Sequence, residues 1–153
     1  MPQLAKGGKH VFGWSTVRAD GTITIPPEAF SEYGLREGEN VILMPGSRTS
    51  GGFGLARAEN LKLSPVGAFL NKCPGLARFE PPEGETMEIG GRWYCWAKLR
   101  QGSVRLPPAT LSAYGVEPDD RLLVVRGSHV AISFIVRGII VEEGNKHPEL
   151  RGY

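Results

Sequence analysis

Four basic side chains of this sequence are placed to bind the phosphates of a polyanion. They are Arg18, Lys98, Arg100 and Arg105. Each is expected on or next to a β-strand, where alternate residues face opposite sides of the sheet. Because Val17, Leu99 and Val104 are expected to face the core, the basic residues beside them should face outward. Arginine and lysine bind phosphate oxygens and the edges of bases. The chemistry that these residues predict is recognition of a nucleic acid or another polyanion.

Two tryptophans, Trp14 and Trp96, share the same predicted face. Their indole rings could stack on bases or contact a partner protein. In a second interpretation they cover the end of the fold, with Arg18 and Arg100 lying over them as cation–π partners. The sequence leaves both roles open and favours the covering role.

No set of side chains in the sequence is typical of a catalytic centre. The glycine-rich segment 46–52 lacks the Gly-Lys-Ser/Thr ending of a phosphate loop. Cys73, Cys95 and the three histidines do not have the spacing of a zinc site. We therefore expect a non-enzymatic protein that uses neither a metal nor a cofactor.

The overall charge of the chain limits how it could bind a polyanion. Its 153 residues carry 18 basic and 16 acidic side chains, for a net charge of +2. That balance is too even for binding through overall charge, so a polyanion site must be local. No apolar run is long enough for a membrane span, and residues 1–9 are not typical of a secretory leader. We expect a cytoplasmic protein without membrane contact.

The chain contains one pattern twice, within a sequence that has 21 glycines and 12 prolines. Segment 21–27 returns 81 residues later as segment 102–108. Upstream of the glycine the match shifts by one residue, which pairs Trp14 with Trp96 and leaves the first copy longer in its turn near Asp20. A turn tolerates such an insertion most easily.

Each copy is predicted to form a short β-hairpin, a two-turn helix and two further strands. The turn glycine, Gly21 or Gly102, joins the hairpin strands. The double proline that follows ends the second strand and starts the helix. Gly34 or Gly115 can adopt the left-handed conformation that ends it.

The chain divides into two units that are joined by a connector. The units are residues 10–58 and 92–141, the connector is 59–91, and a tail follows at 142–153. A unit of this size rarely holds a core by itself, so we expect the two to share one as an intramolecular pseudo-dimer. The connector has a predicted short helix after Ser64 and a surplus of acidic residues that could fold over the basic surface. The last part of the tail, residues 145–153, is expected to be loosely ordered.

Both copies resemble the SpoVT/AbrB-type swapped-hairpin family. The first copy carries the resemblance in its Gly-x-Ile-x-Ile-Pro segment at 21–26, the helix that follows and the Tyr-Gly-Leu sequence at 33–35. The second copy has Val104, Leu106 and Tyr-Gly-Val at the corresponding places. The resemblance implies a mainly β fold with short helices, in which two tandem swapped-hairpin units form one pseudo-dimeric β-barrel.

The resemblance also implies a non-enzymatic, DNA-binding transcriptional regulator whose partner is double-stranded DNA. The nucleic-acid-binding residues would be Arg18, Lys98, Arg100 and Arg105. In that family an arginine usually follows the turn glycine, where this chain has Thr22 and Ser103. An alternative is a protein-interaction module on the same barrel, similar to an antitoxin or an assembly protein, whose partner contacts Trp14 and Trp96. The pseudo-dimer could also assemble into a higher oligomer.

Overall fold

The computed structural model describes residues 10–153 and has a mainly β fold with short helices, as the sequence predicts. The strands are β1 (Val11–Thr16), β2 (Thr22–Thr24), β3 (Asn40–Pro45), β4 (Phe53–Arg57), β5 (Met87–Ile89), β6 (Arg92–Lys98), β7 (Ser103–Arg105), β8 (Arg121–Arg126) and β9 (Ile132–Ile135). The helices are α1 (Pro27–Glu32), α2 (Ala58–Lys62), α3 (Pro74–Ala77), α4 (Pro108–Ala113) and α5 (Ile139–Gly144), with a 3₁₀ helix at Pro65–Asn71. None of the described helices is long and apolar enough to cross a membrane.

Seven strands form one antiparallel sheet in the order β1-β8-β9-β4-β3-β6-β5. The other two, β2 and β7, pair with each other as a separate antiparallel ribbon. A closed barrel would need a pairing between the two end strands of the sheet. Among the strand pairs of residues 10–153 there is none between β1 and β5.

Strands of one repeated unit pair with strands of the other. β1 pairs with β8 of the second unit, and β6 pairs with β3 of the first. In the first of these pairs Trp14 lies opposite Leu123. At the equivalent place in the second, Trp96 lies opposite Ile42, so the two registers correspond. Since β2 also pairs with β7 and β4 with β9, neither unit has a complete sheet of its own.

The main core brings together the ribbon, one face of the sheet, and helices α1 and α4. The ribbon strands and the residues just after them contribute side chains that are at most 1% exposed: Ile23, Ile25, Val104 and Leu106. This confirms the inward orientation that the alternating pattern predicts for Val104. From the central strands, Phe53 stacks on Phe134 with their ring centroids 4.7 Å apart. Both units thus contribute to the same core.

The connector covers the second face of the sheet around β3, β4 and β6. Its Leu61, Leu70 and Leu76 are buried in a cluster with Ile42 of the sheet. The predicted connector helix is present as the 3₁₀ helix, whose N-cap Ser64 accepts a hydrogen bond through its Oγ from a backbone N–H (3.2 Å). The connector is therefore a packed layer as well as a link between the units.

The tail covers the same face at the other end of the sheet, and the expectation that it is loosely ordered is wrong. The backbone N–H of Trp14 donates to the Arg151 carbonyl (2.8 Å), and the N–H of Tyr153 donates to the Trp14 carbonyl (2.7 Å). Leu150 and Val141 are buried with β1 and β8 in a third apolar cluster. These backbone bonds extend the sheet past its edge strand.

Three buried groups make the fold sensitive to alkaline pH. Burial raises the pKa of the Cys95 thiol from its ordinary 9.0 to about 12, and that of the Tyr33 hydroxyl from 10.0 to about 12. Burial also raises the pKa of Tyr114. Because the unfolded chain ionises at the lower, ordinary values, the stabilisation is complete below them and is lost as pH rises towards the folded values.

We therefore expect the free energy of unfolding to fall as pH rises from about 9 to about 11. Denaturant titrations at several pH values would measure the decline. The Tyr114→Phe variant, which lacks one of the ionisable hydroxyls, should decline less steeply over that interval. A decline of the same steepness in wild type and variant would contradict the role of this tyrosine.

Candidate functional site

The ribbon of β2 and β7 carries the candidate site on its outward side. In the ribbon, Ile23 lies opposite Val104 and both are buried, so the positions on either side of them face away from the core. A cleft of about 450 Å³ lies over this outward side. All four of the predicted basic residues line it: Arg18, Lys98, Arg100 and Arg105. The fold thus brings together side chains that are up to 87 positions apart in the sequence.

Two turns of different length bring basic residues to the ribbon. In the first unit the N–H of Arg18 donates to the Thr22 carbonyl (3.0 Å), which leaves three residues in the turn. In the second, Arg100 and Ser103 exchange two hydrogen bonds of 2.9 and 3.0 Å around a two-residue turn. The additional residue of the first turn is the one that the sequence repeat places near Asp20. Arg18 and Arg100 therefore reach the cleft from corresponding positions, each just before the turn of its own unit.

Arg18 and Arg105 are exposed and are positioned by neutral hydrogen-bond partners. One guanidinium nitrogen of Arg18, Nη2, donates to Thr24 Oγ1 (2.9 Å), and that oxygen also accepts from Ser103 Oγ (3.2 Å). Arg105 Nε donates to the backbone carbonyl of Asp20 (3.1 Å). Neither arginine forms an ion pair within the part of the chain that the structure describes, so both have N–H donors left for a ligand.

Arg100, in contrast, is paired with a carboxylate of the connector. Its Nη1 and Nη2 donate to the two carboxylate oxygens of Glu83 at 2.8 and 2.9 Å. The backbone N–H of Lys98 donates to the same carboxylate (2.9 Å). The hydrogen bonds from Arg100 are the main reason that the pKa of Glu83 is lowered from its usual value. The acidic connector thus reaches the basic surface through this one side chain.

The site has a positive charge. Besides the four basic residues, the ionisable residues at the cleft and its adjoining lobe are Asp20 and Glu83, so the charged lining has a net charge of +2. The hydrogen bonds from Thr22 lower the pKa of Asp20, and the nearby charge of Arg105 adds to this. Within residues 10–153, no three His, Cys, Asp or Glu side chains come together as a set that could hold a metal ion. The arrangement favours binding of an anion through side-chain N–H and O–H groups.

The two tryptophans lie on the predicted side of the sheet, but other segments cover that side. Trp14 is only 4% exposed beneath the tail and α5, so its ring is not free to stack on a base, and of the two roles left open by the sequence it has the favoured one, a ring covered by other parts of the fold. Its cation–π partner is Arg121, whose guanidinium carbon lies 4.1 Å from the ring centroid, instead of the predicted Arg18. Strand alternation predicts which side a residue faces but not which segment packs there.

Trp96 is partly buried by the connector. Its Nε1–H donates to the Pro81 carbonyl (2.7 Å), and its ring lies 5.5 Å from that of Phe79. This contact holds the connector along β6, close to the cleft. The acidity of the connector is visible in the sequence, but nothing in the spacing singles out Glu83 among its five acidic residues.

Comparisons with known proteins give a weak structural similarity and no family. No protein-family model matches the sequence, and no curated protein matches it. One solved structure that is similar is the solution structure of PHS018 from Pyrococcus horikoshii. The two chains are 15% identical, and the alignment covers 84% of this chain and 98% of the other with a TM-score of 0.37. A similarity at this level carries no argument about fold or function.

Proposed function

We propose that this chain is a cytoplasmic, non-enzymatic transcriptional regulator of the SpoVT/AbrB type that binds double-stranded DNA through the ribbon cleft. The observation that carries the proposal is the convergence of basic residues from both units on one cleft. Because the whole chain has a net charge of only +2, binding to a polyanion depends on this local concentration of charge.

The strand pairing supports a pseudo-dimeric, swapped-hairpin arrangement within one chain. Hydrogen bonds between the units come in corresponding sets, and two of them flank the ribbon. The N–H of Ile25 donates to the Gly102 carbonyl (2.9 Å), and the N–H of Leu106 donates to the Gly21 carbonyl (3.0 Å). Each repeated unit completes the ribbon of the other, as two subunits do across a two-fold interface.

The side chains of the cleft are suited to contacts with phosphates. Arg18 and Arg105 are exposed and lack a carboxylate partner among the described residues, and their planar guanidinium groups still have unused N–H donors. Lys98 is half-buried and adds a third cation at the same cleft. Contacts of this kind fix the position of a protein on a duplex without reading its sequence. We therefore expect affinity for duplex DNA of mixed sequence at low salt.

We expect Arg105→Ala to weaken binding to a mixed-sequence duplex about ten-fold at low salt, since it removes one charged hydrogen bond. The wild-type affinity should fall with salt at a log–log slope of about −3 to −4 if four phosphates are neutralised. The variant should lose about one unit of that slope. Fluorescence anisotropy of a labelled duplex, titrated at several salt concentrations, measures both quantities.

A matched control for this experiment is Lys72→Ala, which removes an exposed positive charge from the connector outside the cleft lining. It should change the affinity and the salt slope little. If the wild-type chain does not bind the duplex at low salt, the proposed function is wrong. Equal losses in Arg105→Ala and Lys72→Ala would argue against the cleft as the binding site.

A second candidate function is a protein-interaction module on the same fold. Two apolar side chains of the connector, Leu63 and Val66, are 89% and 49% exposed, and such residues close together are common at interfaces. The simplest partner is a second copy of the chain. Light scattering would test this: a dimer that Leu63→Ser dissociates, together with no binding of DNA, would favour this function over the first.

A further inference from the structure

The carboxylate of Glu83 occupies a position in which three N–H groups converge. Two come from the guanidinium group of Arg100 and one from the backbone of Lys98, at distances of 2.8 to 2.9 Å. A bidentate arginine together with a backbone amide is also a common way for proteins to hold two oxygens of a phosphate group. We call these three donors the oxyanion seat.

The oxyanion seat adjoins the cleft of the proposed DNA contact. Arg100 and Arg105 line the basic cleft, and both also line a neighbouring lobe together with Glu83. A chain of phosphates that contacts Arg105 therefore passes next to the seat. In the free protein, however, the nearest anion to Arg100 belongs to the protein itself.

The connector is also held by hydrogen bonds that do not involve the side chain of Glu83. On either side of this residue, the Pro81 carbonyl accepts from Trp96 Nε1 (2.7 Å), and the N–H of Gly84 donates to the Trp96 carbonyl (2.8 Å). The Gly84 carbonyl also accepts a hydrogen bond from the hydroxyl of Thr110. The carboxylate can thus leave the seat by rotation of its own side chain while the backbone remains bound to β6.

We propose that Glu83 fills an oxyanion seat, made of the Arg100 guanidinium and the Lys98 amide, that a backbone phosphate of DNA takes over on binding. The inference rests on the proposed function and adds a regulatory feature to it. Arg100 is not free in the unbound protein, and each binding event replaces one intramolecular ion pair with one phosphate contact. Glu83 therefore lowers the affinity of the cleft for DNA.

The test compares Glu83→Gln with wild type by anisotropy on the same labelled duplex at low salt. Glutamine keeps the shape of the side chain and removes its charge. We expect the Glu83→Gln variant to bind the duplex about two- to five-fold more tightly than wild type, because the ion pair of Glu83 with Arg100, which is partly exposed, no longer competes with the phosphate. Glu80→Gln is the matched control, since Glu80 is in the same connector and pairs with Arg78 (2.8 Å) instead. The Glu80→Gln variant should gain much less affinity for the duplex.

A double-mutant cycle separates the seat from a general effect of charge. In an Arg100→Ala background the Glu83→Gln substitution should no longer increase the affinity, because the seat is already lost. The proposal is overturned if Glu83→Gln gains no more than Glu80→Gln, or if its gain persists without Arg100. In both cases binding by the wild-type chain would leave the proposed function standing. If neither wild type nor Glu83→Gln binds the duplex, both the function and the seat are wrong.

Discussion

Trp14→Ala is expected to lower the free energy of unfolding by about 3–5 kcal/mol, the range for removing a large aromatic side chain from a core. The indole is 4% exposed and packs in an apolar cluster with Leu123 of β8 and Leu150 of the tail. At Gly144 of α5 the chain passes so near the ring that a Cβ atom there would lie 3.2 Å from it. Because the surrounding backbone is closely packed, it cannot move in to fill the cavity that the substitution leaves. The cation–π contact of the ring with Arg121 is lost as well.

Denaturant titration would measure this loss, and the repeat supplies the control. Trp96 is the corresponding residue of the second unit but is only partly buried. We expect Trp96→Ala to cost about 2 kcal/mol, because less of its apolar surface is removed from water. Equal costs for the two substitutions would contradict the difference in covering that the structure shows.

Gly21→Ala is expected to cost more than about 3 kcal/mol, because a side chain at this position meets two separate obstacles. Gly21 has a φ of +85°, which is unfavourable for a residue with a Cβ atom. A Cβ atom there would also collide with the carbonyl oxygen of Leu106, which directly follows strand β7 of the ribbon. Because the Leu106 N–H donates to the Gly21 carbonyl, that segment cannot move away without breaking a hydrogen bond between the units.

Gly102→Ala provides the matched control, in the turn of the second unit. Gly102 has a similar φ of +69°, but a Cβ atom there would come no nearer than 3.9 Å to Glu37 Oε1. We expect a cost of about 1–2 kcal/mol, from the backbone conformation alone. Thermal or denaturant unfolding of the two variants would measure the difference. If Gly21→Ala is as stable as Gly102→Ala, the collision with Leu106 is not a determinant of the ribbon.

The repeat made much of the fold predictable. Alternation correctly placed Val104 inward, and the matching turns correctly brought Arg18 and Arg100 to the same region. Both features depend on two local patterns, the periodicity of the strands and the positions of the turn glycines. These patterns can be seen directly in the sequence.

The covering segments could not be predicted in the same way. The tail binds β1 through backbone groups of Arg151 and Tyr153, which every residue except proline possesses, so no side-chain pattern marks the contact. The ion pair of Glu83 with Arg100 joins a segment outside the repeat to one inside it, so no internal match points to it. Tertiary packing of non-repeated segments determined these parts of the site.

The presence of both repeated units in one chain frees equivalent positions to differ. In a homodimer every substitution appears twice, whereas here the ribbon has Arg105 on one strand and Thr24 at the corresponding position of the other. Three of the four cations come from the second unit. The cleft therefore has two unlike ends, and a ligand laid along it meets a different surface in each orientation. In this way a fold built from two repeated units acquires a binding cleft with a defined direction.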